Sequence, residues 1–169
     1  MLVQGLDPAS VQGDRAVLDE LRRFGACAES REDGVFVKKN DLKGIELDAS
    51  QIPDAVPALA ALAALSEGTT RIYNAGRLRL KESDRIRSTM RMLRALGGIV
   101  TETEDGLIIH GRPYLDGGTA DPAGDHHIAM AAAVAACGCR GSVTVKQPGC
   151  AAKSYPLFWD DLERLKVSK

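Results

Sequence analysis

Several short stretches of this sequence carry side chains able to do acid–base or anion chemistry. Lys81-Glu82-Ser83-Asp84-Arg85 sets two cations four residues apart around a carboxylate. On a helix this spacing puts Arg85 one turn beyond Lys81 on roughly the same face, where the pair can grip one anion twice. The same run also reads as a solvated charged turn with Ser83 or Asp84 as N-cap. Asp125-His126-His127 heads the small-residue stretch Ile128 to Ala136, with Asp125 suited to capping and both imidazoles in the first turn. Asp54 follows Pro53 at the head of Ala55 to Leu65, as a cap or as an ionised carboxylate in a cleft. Lys153, between Ala152 and Ser154, is either a buried amine with a shifted pKa or an exposed lysine. The two histidines with Cys137 and Cys139 invite a zinc reading. A helix separates the pairs by about 11 residues, roughly 16 Å, which excludes one four-ligand site within this segment.

The elements that must position these residues are legible from an internal repeat. Leu21 to Ala26 aligns on Leu93 to Gly98, and Glu32-Asp33-Gly34-Val35 on Glu104-Asp105-Gly106-Leu107, an offset of 72 residues from Gly25 to Gly97. Each copy has a helix-period apolar run (Val17, Leu18, Leu21, Phe24; Ile86, Met90, Leu93, Leu96) stopped by Gly, and then an Asp-Gly hairpin turn. Within one residue the same offset lays Asp54 over Asp125, each at the head of an Ala-rich helix followed by a β-rich run, Thr70 to Tyr73 or Ser142 to Val145. Lys153-Ser154-Tyr155-Pro156 reads as the opening of a further helix carrying Leu157, Phe158, Leu162 and Leu165. The unit is βαβαββ, an α/β (α+β) arrangement in which each copy needs neighbours to cover its apolar face. The expected units are 1–73, 74–145 and a shortened 146–169 within one incomplete domain, 1–169; an uncovered face favours self-association.

Composition bounds the function classes. Of 169 residues 44% are hydrophobic, enough to bury a core, and 22 Lys plus Arg against 23 Asp plus Glu give no general attraction to nucleic acid or to an anionic membrane. An anion site must therefore be a local cluster. No apolar run approaches the roughly 20 residues of a bilayer span, and no leader pattern opens the sequence. Cys27, Cys137, Cys139 and Cys150 lack the spacing of a disulfide framework, which points to reduced thiols and the cytoplasm.

Taken together, Gln12-Gly13-Asp14, Ile52-Pro53-Asp54, Leu78 to Arg85, Asp125-His126-His127-Ile128-Ala129-Met130 and Lys153-Ser154-Tyr155-Pro156 resemble the enolpyruvyl transferase family, in its branch acting on shikimate 3-phosphate. The resemblance implies an inverse alpha-beta barrel-like domain, made in full members of three βαβαββ copies, with a second such domain across a substrate cleft. It implies transfer of a carboxyvinyl group from phosphoenolpyruvate to the 5-hydroxyl of shikimate 3-phosphate, a step of aromatic amino acid biosynthesis that uses no metal or organic cofactor. By the same resemblance Asp54 takes the hydroxyl proton and Glu82 and Lys153 handle protons at the enol carbon and phosphate. Lys81 contacts the shikimate phosphate, and Arg85 with His126 holds phosphoenolpyruvate. Asn74 aligns loosely with a shikimate-contacting Asn.

The family reads Asp-His-Arg where this sequence has Asp125-His126-His127. A histidine near its reference pKa is mostly neutral at pH 7 and lacks the guanidinium fork, so His127 implies weaker, more acid-dependent phosphoenolpyruvate binding. The N-terminal domain that supplies further cations has no counterpart here, so the expectation is half a site and an inactive isolated chain. The alternatives are the sister activity on UDP-N-acetylglucosamine and, in another class, a non-catalytic binding or interaction domain on the same fold.

Overall fold

Helix-period and alternating runs along the chain become elements in the repeated order. The computed structural model describes residues 1–7 and 10–165. Strand β1 (Leu2–Val3) is followed by helix α1 (Val17–Arg23), the hairpin β2 (Cys27–Arg31) and β3 (Gly34–Lys38), strand β4 (Glu46–Asp48), helix α2 (Val56–Ala63) and strand β5 (Thr69–Tyr73). The sequence of elements then recurs as α3 (Arg85–Ala95), β6 (Ile99–Glu102), β7 (Leu107–His110), β8 (Gly118–Ala120), α4 (His126–Ala136) and β9 (Val143–Val145), before α5 (Phe158–Leu165). The last expected unit, 146–169, lies outside the described residues beyond Leu165.

Equivalent helices end by the same physics. Gly25 (φ +99°) and Gly97 (φ +91°) take the left-handed conformation that only glycine enters without a Cβ penalty. Their N–H groups donate to Arg22 and Arg94 at 2.9 and 3.0 Å, and the next N–H donates to Leu21 and Leu93 at 3.0 and 2.8 Å. This double closure satisfies the carbonyls left over at each helix end and turns the chain into the following hairpin.

Three sheets result. The first has order β1-β3-β2 and is antiparallel; the second has order β4-β5-β7-β6, with β4 parallel to β5 and the hairpin antiparallel beside it; the third is the parallel pair β8-β9. Alternation fixes the register in the second sheet. Leu107 and Ile109 are fully buried while Ile108 and His110 point the other way, so a slip of one residue would expose the apolar face. Gly111 then passes so close to the Ser66 carbonyl that a Cβ there would lie 1.5 Å from it.

Helices α2, α3 and α4 pack on one another, with sheet strands against α2, α3 and α4 from outside. Small residues permit this: Ala60, Ala61, Ala63, Ala131, Ala132 and Ala135 are buried at the α2–α4 layer, while Ile86, Met92, Leu93 and Leu96 supply bulk from α3. The result is an α/β fold with helices inside and sheets around them. Its consequence for function is that the N-terminal ends of α2, α3 and α4 come together.

Overpacking that layer has a measurable effect. Ala60→Leu is expected to lower unfolding stability by about 1–3 kcal/mol in chemical denaturation. Val134→Ala, at an exposed position of α4, should stay within about 0.5 kcal/mol of the parent.

Candidate active site

The carboxylates of the site sit at or just before helix starts, where free N–H groups and the helix dipole favour negative charge. Asp54 lies in the 3-10 turn Pro53–Ala55 that leads into α2 and makes no cap bond. Lys81 follows the 3-10 turn Gly76–Leu80 in an extended conformation. Asp84 caps α3 by accepting from the Arg87 N–H at 3.1 Å, and Asp125 caps α4 by accepting from the His127 N–H at 2.9 Å. The capping readings of Asp84 and Asp125 hold; that of Asp54 does not.

Arg85 ties these starts together. Its side chain is 3% exposed, and its Nη1 donates to Asp54 Oδ1 at 2.7 Å while its Nε donates to Asp125 Oδ2 at 2.8 Å. Lys81 Nζ reaches the same Asp54 Oδ1 at 3.0 Å, and Ser83 Oγ donates to Asp125 Oδ2 at 3.1 Å. Beside this group Glu82 Oε2 meets His126 Nδ1 at 2.8 Å, and Lys153 Nζ pairs with Glu82 Oε1. His127 turns its Nδ1 to the Asp54 carbonyl at 3.1 Å, and its ring centroid is 4.2 Å from that of His126.

Asp54, Lys81, Glu82, Arg85, His126, His127 and Lys153 are therefore in one cluster, although not always on the elements expected. Lys81 and Arg85 do not share a helix face, because α3 begins only at Arg85; they converge on Asp54 through a non-helical turn. Lys153 does not open a helix. It closes the 3-10 segment Pro148–Lys153, α5 starts at Phe158, and the amine is 61% exposed, which settles the choice between buried and exposed. Asn74 spends its side chain on Asp48 at 3.1 Å and its N–H on Asp105 at 2.9 Å, holding a left-handed turn. Gln12-Gly13-Asp14 leads into α1; Gln12 and Asp14 line a cavity of about 350 Å³ to which no residue of the cluster contributes. Sequence reasoning missed Ser83 and Asp125 as members of the charged network. The signal available was the alignment of Asp125 on Asp54 in the repeat.

The electrostatics follow from the contacts. Burial, the largest influence on both Asp54 and Asp125, opposes ionisation, yet the opposing contacts win and both carboxyls fall below the usual range. For Asp54 these are the bond and charge of Lys81 with the charge of Arg85; for Asp125 they are Arg85, the His127 N–H and Ser83. For His127, burial and then the charges of Arg85 and His126 lower the pKa from 6.5 to about 4. The imidazole is thus neutral across the mildly acid range. Glu82, Asp125 and His126 bring one donor atom each within 4.8 Å, a geometry that a metal ion would accept. A cation there would have to displace Lys153 from Glu82 and Arg85 from Asp125.

The sequence matches the family model of EPSP synthase (3-phosphoshikimate 1-carboxyvinyltransferase) over residues 1–162. It is 49% identical over 160 residues to the 3-phosphoshikimate 1-carboxyvinyltransferase of Clostridium acetobutylicum, covering 95% of this chain and 37% of the relative. To the Methanocorpusculum labreanum protein of the same name it is 44% identical over 163 residues, 96% of this chain and 39% of the relative. An EPSP synthase structure from Acinetobacter baumannii superposes with a TM-score of 0.81 at 32% identity, over 97% of this chain and 40% of the other. The enolpyruvyl transferase NikO from Streptomyces tendae shares the fold, with a TM-score of 0.75 at 24% identity, over 92% of this chain and 36% of the other. The chain spans less than half the length of the relatives it matches.

Two outcomes are expected from the geometry. Asp125→Ala removes the buried acceptor of the Arg85 Nε and leaves the guanidinium only its half-exposed contact with Asp54, and should cost about 3–5 kcal/mol in a denaturant titration; Asp54→Ala, whose carboxylate is 40% exposed, should cost clearly less, since solvent screens it. Imidazole NMR should place the His127 midpoint at about 4. Because the unfolded imidazole binds its proton first, the stability contribution should be fully present above 6.5 and decline as pH falls from there toward the folded midpoint. A midpoint near 6.5 would remove the physical account of this residue.

Proposed function

The chain belongs to the EPSP synthase family, and from that premise we propose that it supplies one face of an active site for carboxyvinyl transfer. In this reading the 5-hydroxyl oxygen of shikimate 3-phosphate bonds to C2 of phosphoenolpyruvate, its proton passes to Asp54, and a proton from the Glu82–Lys153 pair reaches C3. The tetrahedral adduct then returns a proton from C3 to that pair as the C2–O bond to phosphate breaks, releasing phosphate. Lys81 holds the shikimate phosphate, and Arg85 with His126 faces phosphoenolpyruvate. Proton transfer by positioned groups of this kind contributes about 10²- to 10⁴-fold to a rate.

The observation that carries the reading is the convergence of two carboxylates, each already held by cations, at three adjoining helix starts. Asp54 lies against Lys81 and Arg85, and Glu82 against Lys153 and His126. A carboxylate held ionised in a fixed orientation acts as a base through positioning rather than through a raised pKa. A charge count supports the second half of the proposal. Lys81, Arg85 and Lys153 are matched by Asp54, Glu82 and Asp125, so this face has no spare positive charge for two substrates that both carry phosphate. Further cations come from the other domain of the same enzyme. No described helix is long and apolar enough to cross a membrane, and the free thiols of Cys27, Cys137, Cys139 and Cys150 support a cytoplasmic enzyme.

The test is phosphate release from shikimate 3-phosphate and phosphoenolpyruvate by this chain alone and mixed with the N-terminal remainder of the Clostridium acetobutylicum relative. Turnover is expected only on mixing, with UDP-N-acetylglucosamine refused, and Glu82→Gln should reduce it by about 10²- to 10⁴-fold. A silent mixture, together with no heat of binding for either substrate in calorimetry, would replace the catalytic reading with that of a binding or interaction domain.

A further inference from the structure

His127 lies among charged groups at the head of α4, and its own contacts are those of a hydrogen-bond donor to backbone. A carbonyl oxygen has no proton to give, so at 3.1 Å from Asp54 O the His127 Nδ1 must be the donor. That fixes the neutral tautomer, with the proton on Nδ1 and the lone pair on Nε2. The backbone N–H of the same residue donates to Asp125 Oδ1, and Asp125 Oδ2 takes Arg85, whose other edge takes the Asp54 carboxylate. Asp54, Arg85, Asp125 and His127 therefore form a closed ring of hydrogen bonds that holds Asp54 by its carboxylate and by its carbonyl.

We propose that His127 is a positioning residue rather than an anion ligand: its Nδ1–H pins the Asp54 turn to α4, while its ring bears on His126, the partner of Glu82. One neutral imidazole thereby sets the distance between the two carboxylates assigned to proton transfer. An arginine at this position would add a fixed charge beside Arg85, in surroundings whose burial first, and neighbouring charge second, already disfavour a charged imidazole. The side chain serves here because it is uncharged. The catalytic consequence rests on the carboxyvinyl reading; the hydrogen-bond ring does not.

The experiment compares the parent with His127→Asn, whose side-chain amide places a donor as many bonds from Cα as Nδ1, and with His127→Leu, which has none. In ¹⁵N-labelled protein at neutral pH, Nδ1 should be protonated and Nε2 bare, and the ¹³C resonance of the Asp54 carbonyl should move in His127→Leu and return in His127→Asn. In the mixed assay His127→Leu should lower kcat by roughly 10²-fold, the scale of a small misplacement of a reacting group. The KM for phosphoenolpyruvate should change less than about twofold, because uniform binding is not what has been lost, and His127→Asn should recover most of the lost rate. A proton on Nε2, or a large rise in that KM with kcat intact, overturns the proposal. If every mixture is silent while the NMR signature is present, the positioning contact stands and the carboxyvinyl reading fails.

Discussion

The buried pair between Arg85 and Asp125 is the interaction on which the arrangement of this protein depends. Arg85 opens α3 and Asp125 caps α4, both are almost wholly removed from water, and they are joined at 2.8 Å. Taking two charges out of water costs several kcal/mol per ion, of which a single contact returns only part. The remainder is offset here by further hydrogen bonds to the carboxylate. Ser83 adds a second donor to Oδ2, the His127 N–H occupies Oδ1, and the dipole end of α4 lies behind them. The same guanidinium then extends to Asp54 at the head of α2. Three helices from different stretches of the chain are registered to one another by one buried cation.

That registration is possible only because the helices can approach closely. Buried alanines at the α2–α4 layer let the backbones come together, whereas larger residues there would separate the helix starts and stretch the contacts between Asp54, Arg85 and Asp125. Sheet register contributes at longer range. Pairing of β5 with β7, and of β7 with β6, returns the chain from the hairpin at a fixed height, and the glycine caps at Gly25 and Gly97 set where each hairpin begins. Composition, in the form of small residues in two helices and bulk in a third, is thus linked directly to the geometry of the charges.

Much of this is legible in the amino-acid sequence. The 72-residue offset from Gly25 to Gly97 locates matching helices, hairpins and strands because each copy is punctuated by the same local devices, a glycine that enters the left-handed region and an Asp-Gly turn. The chemistry-bearing residues are legible by type. Their placement is less so, and for a physical reason. Periodicity describes a residue relative to its own helix, but Lys81 acts from a turn before α3, and Lys153 closes a 3-10 segment instead of opening a helix. Asp125 is sufficient as a cap on local grounds, since nothing nearby announces a partner 40 residues away in sequence. A dual role, capping one helix while neutralising the first residue of another, is a tertiary fact.

Burial divides the cations of the site into two kinds, and the division matters for any anion that enters. Arg85 is 3% exposed and bonded at both edges, so it cannot leave Asp125 without stranding a buried carboxylate. Lys81 and Lys153 are 35% and 61% exposed, each on a flexible stem and each holding a carboxylate at the rim. An incoming phosphate can draw these amines away at little cost, because exposed pairs are worth on the order of 1 kcal/mol or less. Asp54 would still be bonded to Arg85 after Lys81 had moved. The frame therefore keeps the Asp54 carboxylate in place while the lysines are free to change partners, which is the order of events that the proposed base, acting through position, requires.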